Sequence, residues 1–413
     1  MKVLSSIVAL ACCSVVFGDM TNDDEVVAAC DKTPKKNKSV QSCPTATKKG
    51  KAADMSFYQG EMLTDNRYPP AYNAPAKIEL HDAHCKWPDN IFFDASFIYW
   101  YAAQDGMGIA MSGDVSGAGP TLHDLVFNKQ SVSLTQPFSY NPGFKLGLGA
   151  GVGEWEVHVG YTWVRQKTSM SSNAPTDETI GAPNIPIWEI NSWFAQSVPG
   201  STSFISATHV HSSWRMGLDQ IDLTAGRPYY QSKNSTISPY GGARALWIRQ
   251  SLRIGATVPA LATTGTLASQ PIYSHNNTHS WALGPVVGAT GHCLLGKGFR
   301  LNGDAGASIL FTQYTKLSHS EDSLITGTTP TAFKALQTNY NCVRPTMNLG
   351  LGLGWGMYFY DAGYHIDFAA DYDFNVFWNQ NMMRTFAEEF AISSSPSNDL
   401  FLHGLTFTTR FDF

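Results

Sequence analysis

The stretch Leu405-Thr-Phe-Thr-Thr-Arg-Phe-Asp-Phe413 decides the fold class. On an extended strand it puts Leu405, Phe407, Phe411 and Phe413 on one face and Thr406, Thr408, Arg410 and Asp412 on the other, because successive side chains point to opposite sides. A strand with one apolar and one polar face, ending on Phe, suits a closed barrel whose lipid-facing and lumen-facing residues alternate. An amphipathic edge strand of a soluble sandwich would show the same alternation. The remainder of the chain separates the two.

Charged residues make up 15% of the chain, against roughly 25% in soluble domains, while Trp 11, Tyr 17 and Phe 23 bring the aromatics to 12%. Beyond the N-terminal leader no apolar run reaches the ~18 residues that a membrane-crossing helix needs. A barrel is the remaining way to satisfy every backbone group in lipid. The leader itself has Lys2, an apolar run from Val3 to Phe17 and small residues before Asp19, so residues 1–18 read as a secretory signal. Ala9-Leu-Ala-Cys12 departs from the lipoprotein pattern, because the apolar run continues past Cys12. Net charge is −5, too mild for a nucleic-acid partner, which calls for a basic stripe.

Of the seven cysteines, Cys30, Cys43, Cys85, Cys293 and Cys342 follow the leader. An odd count in an oxidising envelope leaves at least one thiol free or paired with another chain, so all five are candidates for disulfides without a fixed connectivity.

Residues 19–88 are polar and turn-rich, with seven Lys and no acidic residue between Lys32 and Lys51. Pro34, Pro44, Pro69, Pro70 and Pro75 oppose long regular elements, which reads as a loosely packed periplasmic segment. From residue 89 the period becomes two, and 89–413 reads as the barrel. Trp155, Val157, Val159, Tyr161 and Trp163 alternate with Glu156, His158, Gly160 and Thr162, placing aromatic rings at both ends of a lipid-spanning face. Met347 to Phe359 and Tyr364 to Trp378 give longer runs of the same kind, joined by Asp361-Ala-Gly363 as a tight turn. Such runs exceed the 5 or 6 residues usual for buried sandwich strands. Between Trp214 and Ala225 the apolar phase slips, which predicts a bulge or turn near Gln220. Gln166 to Pro186, Thr257 to His279, Lys316 to Asn339 and Met383 to Asp399 read as long polar extracellular loops. At roughly 20 residues per strand and connection, the expectation is an all-β, transmembrane, outer-membrane antiparallel barrel of about 16 strands, within 14–18.

Chemistry-bearing motifs are sparse. Gly147-Leu-Gly-Ala-Gly-Val-Gly153 and Gly350-Leu-Gly-Leu-Gly-Trp-Gly356 are period-two, give no Gly-x-Gly-x-x-Gly and precede no helix pattern. Small residues on a crowded barrel interior explain them better. His81-Asp-Ala-His84-Cys85 lacks the fourth ligand of a closed metal site, and no Gly-x-Ser-x-Gly is present. The reading is therefore non-enzymatic, with no catalytic residue, metal or cofactor. The polar faces place Glu156, His158, Arg300, Asp304, His365, Asp367, Asp371 and Asp373 toward a lumen suited to water and small hydrophilic solutes. Alternatively, such charges pair into a plug that conducts nothing, since small barrels fill their interiors.

Several stretches resemble the major outer membrane protein-like porin family found in chlamydia-related bacteria and in Legionella. They are Phe93-Asp-Ala-Ser-Phe-Ile-Tyr-Trp-Tyr-Ala-Ala103, Asn141-Pro-Gly-Phe-Lys-Leu-Gly-Leu-Gly149, Cys293-Leu-Leu-Gly-Lys-Gly-Phe299, Leu349-Gly-Leu-Gly-Leu-Gly-Trp-Gly-Met-Tyr-Phe359, Asn375-Val-Phe-Trp-Asn-Gln-Asn-Met-Met-Arg384 and Leu402 to Phe413. The likeness spans about residues 88–413. It implies an abundant, surface-exposed barrel with general pore activity and, in relatives, an envelope held together by disulfides and an adhesive role. It carries no catalytic residues over.

The resulting expectation is an outer-membrane porin, reached through the periplasm, that passes small hydrophilic solutes and ions. The competing reading is a structural or adhesive barrel whose long loops engage a host surface. Expected partners are outer-membrane lipid, the barrel-insertion machinery, and a homo-oligomer or disulfide-linked envelope proteins. Phe407, Phe411 and Phe413 are taken as the signal that the insertion machinery reads. Replacing Phe413 by Ser should leave pore chemistry untouched while protein accumulates unfolded in the periplasm. A compact, heat-modifiable band in normal amounts in the outer membrane would refute that role.

Overall fold

The computed structural model describes residues 91–112, 115–116, 126–127, 132–152, 155–173, 184–186, 207–230, 234–257, 271–321, 333–359, 364–391 and 398–413. The leader, the 19–88 segment, Cys30, Cys43, Cys85, the His81–Cys85 motif and the Asp361-Ala-Gly363 turn lie outside the described residues.

Ten strands close into an antiparallel barrel: β1 (Ile91–Gln104), β2 (Tyr140–Val152), β3 (Trp155–Asn173), β4 (His209–Gly226), β5 (Ser235–Thr257), β6 (Pro271–Gly296), β7 (Phe299–Glu321), β8 (Tyr340–Phe359), β9 (Tyr364–Phe377) and β10 (Leu400–Asp412). Each pairs with its neighbours in chain order, and β10 closes the ring on β1, with Phe97 opposite Phe407. Closure leaves no unpaired edge, the condition for a sheet to sit in lipid. Among the described residues two further strands lie outside the ring: Phe333–Gln337 pairs only with β7, and the two-residue Tyr229–Tyr230 only with β5. Small sheets of 108–112, 132–135 and 184–186, and of 115–116 with 126–127, are not hydrogen-bonded into the ring's ladder.

The expected 16 strands are thus corrected to ten. The error lies in strand length, since β5, β6 and β7 alone run to 23, 26 and 23 residues. A lipid-spanning strand needs only about 9–11. Much of what read as loop after Gln166, before His279 and after Lys316 is strand continuing past the membrane.

Why those segments disguised themselves shows on β4. Its pairing with β3 and β5 is continuous from His209 to Gly226, so no bulge occurs at Gln220. The phase slip is a change of surroundings. Toward the short-turn end, Ile221 and Leu223 point outward to lipid while Asp222 and Thr224 face the lumen. Toward the long-loop end, Val210, Trp214, Met216 and Leu218 are buried inside while His209, His211, Ser213 and Arg215 face out. On β5 the same exchange brings Leu246, Ile248, Leu252 and Ile254 inside opposite outward Arg249, Ser251 and Arg253. One continuous strand runs through two environments, apolar outside in lipid and apolar inside above it.

Outward aromatics mark both boundaries. Near the short turns they include Trp155, Phe299, Trp355, Tyr364, Phe411 and Phe413; toward the long loops, Tyr99, Tyr101, Tyr140, Trp163, Trp247, Trp281 and Tyr372. Leu148, Val159, Val287, Leu351 and Leu353 cover the wall between, each about half exposed or more. These are the girdles and apolar band of a membrane barrel.

The interior toward the loops is filled by an apolar layer including Ile98, Trp100, Val210, Trp214, Leu252, Ile254 and Leu402. The segment after β9 also turns inward. Helix α1 (Met382–Ala391) starts at Asn381, whose Oδ1 accepts the Met383 N–H at 3.2 Å, an N-cap that satisfies one orphan donor. Asn381 Nδ2 donates to the Asp105 carbonyl at 2.9 Å, Met383 enters the apolar layer, and Met382 and Phe386 pack on Tyr314 and Leu317. The expectation of a polar loop from Met383 is therefore corrected at its start: the barrel mouth supplies apolar neighbours for these side chains.

The membrane boundary can be tested on the outer wall. Val287→Arg should cost about 2–4 kcal/mol in urea unfolding from lipid, whereas Asn341→Arg, outward on β8 beyond the girdle, should stay within about 0.5 kcal/mol. Equal effects at the two positions would contradict the boundary.

Candidate pore lumen

Alternation turns one residue in two of every strand inward, and in the lipid-spanning half those residues are polar. Glu156 and His158 come from β3, Arg300 and Asp304 from β7, and His365, Asp367, Asp371 and Asp373 from β9. All eight expected residues line one cavity of about 460 Å³. The cavity also gathers Asp94, Lys145, Asp222, Tyr240, Arg244, His292 and Arg410, which the sequence reading did not single out.

The charges meet in pairs across strands. Lys145 Nζ donates to Asp373 Oδ2 at 2.7 Å, and the Thr406 hydroxyl donates to the same oxygen at 2.7 Å. His158 Nε2 lies 2.8 Å from Asp94 Oδ1, its ring stacked on Phe92. Arg300 pairs with Asp367 and holds Asn302 Oδ1 at 2.8 Å. Arg410 donates to Asp412 Oδ1 at 2.9 Å and reaches Glu156 at 3.3 Å, while His365 Nδ1 sits 2.8 Å from Asp412 Oδ2. Asp304 accepts from Asn348 at 2.6 Å and from the Tyr240 hydroxyl at 3.3 Å. Arg244 holds Asp222 at 2.7 Å. Bringing charges out of bulk water is costly unless they are paired or hydrogen-bonded; Asp222, Asp367, Asp373 and Asp412 have cationic partners, whereas Asp304 and Asp371 rest on neutral donors from Asn348, Tyr240 and Asn302.

Glycine makes the lattice possible at its most crowded point. A Cβ on Gly147 would collide with Asp94 and His158, and one on Gly149 with the Phe92 ring. The first glycine run thus sits opposite bulky inward groups of β1 and β3, and Gly350 to Gly356 opposite those of β7 and β9 such as Arg300, Asp371 and His365, not around a phosphate.

A signal for the overlooked residues was present. Lys145 lies between outward Phe144 and Leu146, and Asp94 between outward Phe93 and the lipid-side Ala95, so alternation alone marks both as inward. Arg244, in Gly-Gly-Ala-Arg-Ala-Leu-Trp, was hidden because its strand exchanges its apolar face two residues later. Cys293 and Cys342 are free thiols in this chain, the latter packed against the Tyr314 cluster, and neither belongs to the lumen lattice. Among the described residues no cluster of His, Cys, Asp and Glu has the arrangement of a metal site.

Among solved structures, the chain is similar to the Escherichia coli outer membrane protease OmpT, at 9% identity over 79% of this chain and 97% of that one, with a TM-score of 0.37. A major outer membrane protein from Thermus thermophilus matches at 10% identity, over 79% and 100%, with a TM-score of 0.26. The Pseudomonas putida toluene transporter TodX matches at 8% identity, over 82% and 92%, with a TM-score of 0.24. At these scores the likenesses carry no functional weight. No curated protein matches the sequence. The family profile of the Legionella pneumophila major outer membrane protein precursor matches residues 90–413, the whole of the ten-stranded barrel. The chain therefore belongs to the Legionella major outer membrane protein family, a β-barrel of the outer membrane.

Proposed function

We propose that the protein is a porin of restricted passage, admitting water, ions and small hydrophilic solutes to a charged vestibule within the membrane. The observation that carries this reading is the cavity of about 460 Å³ lined by paired charges of both signs. Its lining solvates small polar species, and the excess of carboxylates over Lys and Arg among the lining residues favours cations over anions. Passage is passive in this reading, not catalytic.

The apolar layer around Trp214 and Leu252 limits flow in the state described. Conduction then requires the inward-folded segments, α1 and Met107–Ala110, to yield. The Asn381 contacts are the local restraint. In planar bilayers the folded protein should give small, infrequent conductance steps. Asn381→Ala, which removes a cap of about 1 kcal/mol, should make them roughly fivefold more frequent. If neither protein conducts while both show the heat-modifiable band, the pore reading fails.

The same apolar layer favours a second reading, a structural barrel that presents its loops at the cell surface. Removing residues 322–332, between β7 and the strand that pairs with it, would then lower attachment to host cells while the barrel stays folded. Unchanged attachment after that deletion would remove this loop from consideration.

A further inference from the structure

The outer wall carries a cationic patch that the lumen does not use. Lys167 on β3 is directly opposite Arg215 on β4. Arg215 faces Ser251 on β5, and so has Arg249 and Arg253 as its diagonal neighbours, about 7–8 Å away. Arg249 is opposite His279 on β6, and His279 is opposite Lys316 on β7. The only ring contact of Arg253 among the described residues is with Tyr273, at 3.9 Å. None of Lys167, Arg215, Arg249 or Lys316 has an ion pair among the described residues. Among the described residues of β3 to β7 the one outward carboxylate, Asp219, is already held by Arg165 at 2.9 Å.

Like charges directly opposite on neighbouring strands repel, so this arrangement lacks a counter-charge. Its height says where that counter-charge comes from. Arg249 lies two residues beyond Trp247 toward the long loops, about 7 Å along the strand, and Trp247 is paired with Trp281 in the aromatic girdle. Below the girdle the same strands present Ile221, Leu223, Leu283 and Val287 to lipid. Ser213, Ser251 and Asn277 add neutral hydrogen-bonding groups between the cations. On the other side of the barrel the corresponding surface is aromatic, with Tyr101, Tyr140 and His403 in mutual ring contact.

We propose that this face of β3 to β7 binds the phosphates of an anionic glycolipid in the outer leaflet, with the acyl chains lying on the apolar wall beneath. Charge complementarity selects a polyphosphorylated headgroup, and continuity with the girdle and the lipid-facing wall selects an amphiphile over a soluble polyanion. Side chains of Lys167, Arg215, Arg249 and Arg253 form the headgroup site, and Lys316 extends it.

Binding of diphosphoryl lipid A, its dephosphorylated form and heparin to the folded full chain in non-ionic micelles tests the assignment. Diphosphoryl lipid A should bind, weaken with salt, and lose about a hundredfold in affinity in the combined variant K167Q/R215Q/R249Q/R253Q. Lys297→Gln, a cation at the short-turn end, should bind as the unaltered protein does. The paired variants K167Q/R215Q and R249Q/R253Q, each expected to lose about tenfold, stand in if the combined variant fails to fold. Equal binding of the phosphorylated and dephosphorylated lipids would overturn the proposal. So would heparin binding tighter than lipid A, which would identify a soluble-polyanion surface instead.

Discussion

Everything in this barrel depends on a backbone ladder that must close on itself, because lipid offers no partner to an unpaired N–H or C=O. Ten strands achieve it by joining β10 to β1, and the last backbone N–H, that of Phe413, still finds the Ile91 carbonyl at 2.9 Å. Once the ladder is closed, each strand has a fixed inside and a fixed outside. A row of paired residues started at Phe97 reaches β7 at Gln313 by one route round the ring and at Leu301 by the other. That stagger tilts the strands and sets the width of the interior.

The closed ladder is then filled in two ways along its length. In the lipid-spanning half, outward positions are aliphatic, so the inward ones are free to be polar, and neutralisation falls to cross-strand pairs such as Arg300 with Asp367 and Lys145 with Asp373. Removing one member of the buried Arg300–Asp367 pair would leave an uncompensated charge, a loss of about 3–5 kcal/mol. Above the girdle water replaces lipid outside, and burial of Trp214, Leu252 and Ile254 inside becomes the favourable choice. The vestibule and its apolar stopper are two consequences of one boundary.

That boundary also organises the outer wall. Trp163, Trp247 and Trp281 sit where an amphipathic ring gains from apolar and wet surroundings at once, and the Arg165–Asp219 pair and the cations beyond them begin there. Lumen charges meet side-chain partners within the chain, while Lys167, Arg215 and Arg249 face outward, with Arg249 two residues beyond Trp247. The contrast between charge paired in the interior and charge without a partner on the exterior distinguishes the lumen from the outer wall.

The sequence by itself determined the side of the wall on which a residue sits, because alternation is a local property with a period of two. Glu156, His158, Arg300, Asp304, His365, Asp367, Asp371 and Asp373 share one cavity for that reason, and Phe407, Phe411 and Phe413 lie on the outward face. Only the tertiary structure decided the number of strands, the exchange of apolar faces at Gln220 and the inward turn of Met382 to Phe386. The residues before and after Gln220 alternate equally well; what differs is whether lipid or water lies outside, and no local pattern contains that. Strand number follows from how far β5 to β7 continue past the membrane, which depends on partners brought together by closure of the ring. Period-two patterning specifies faces, and long-range pairing specifies the barrel.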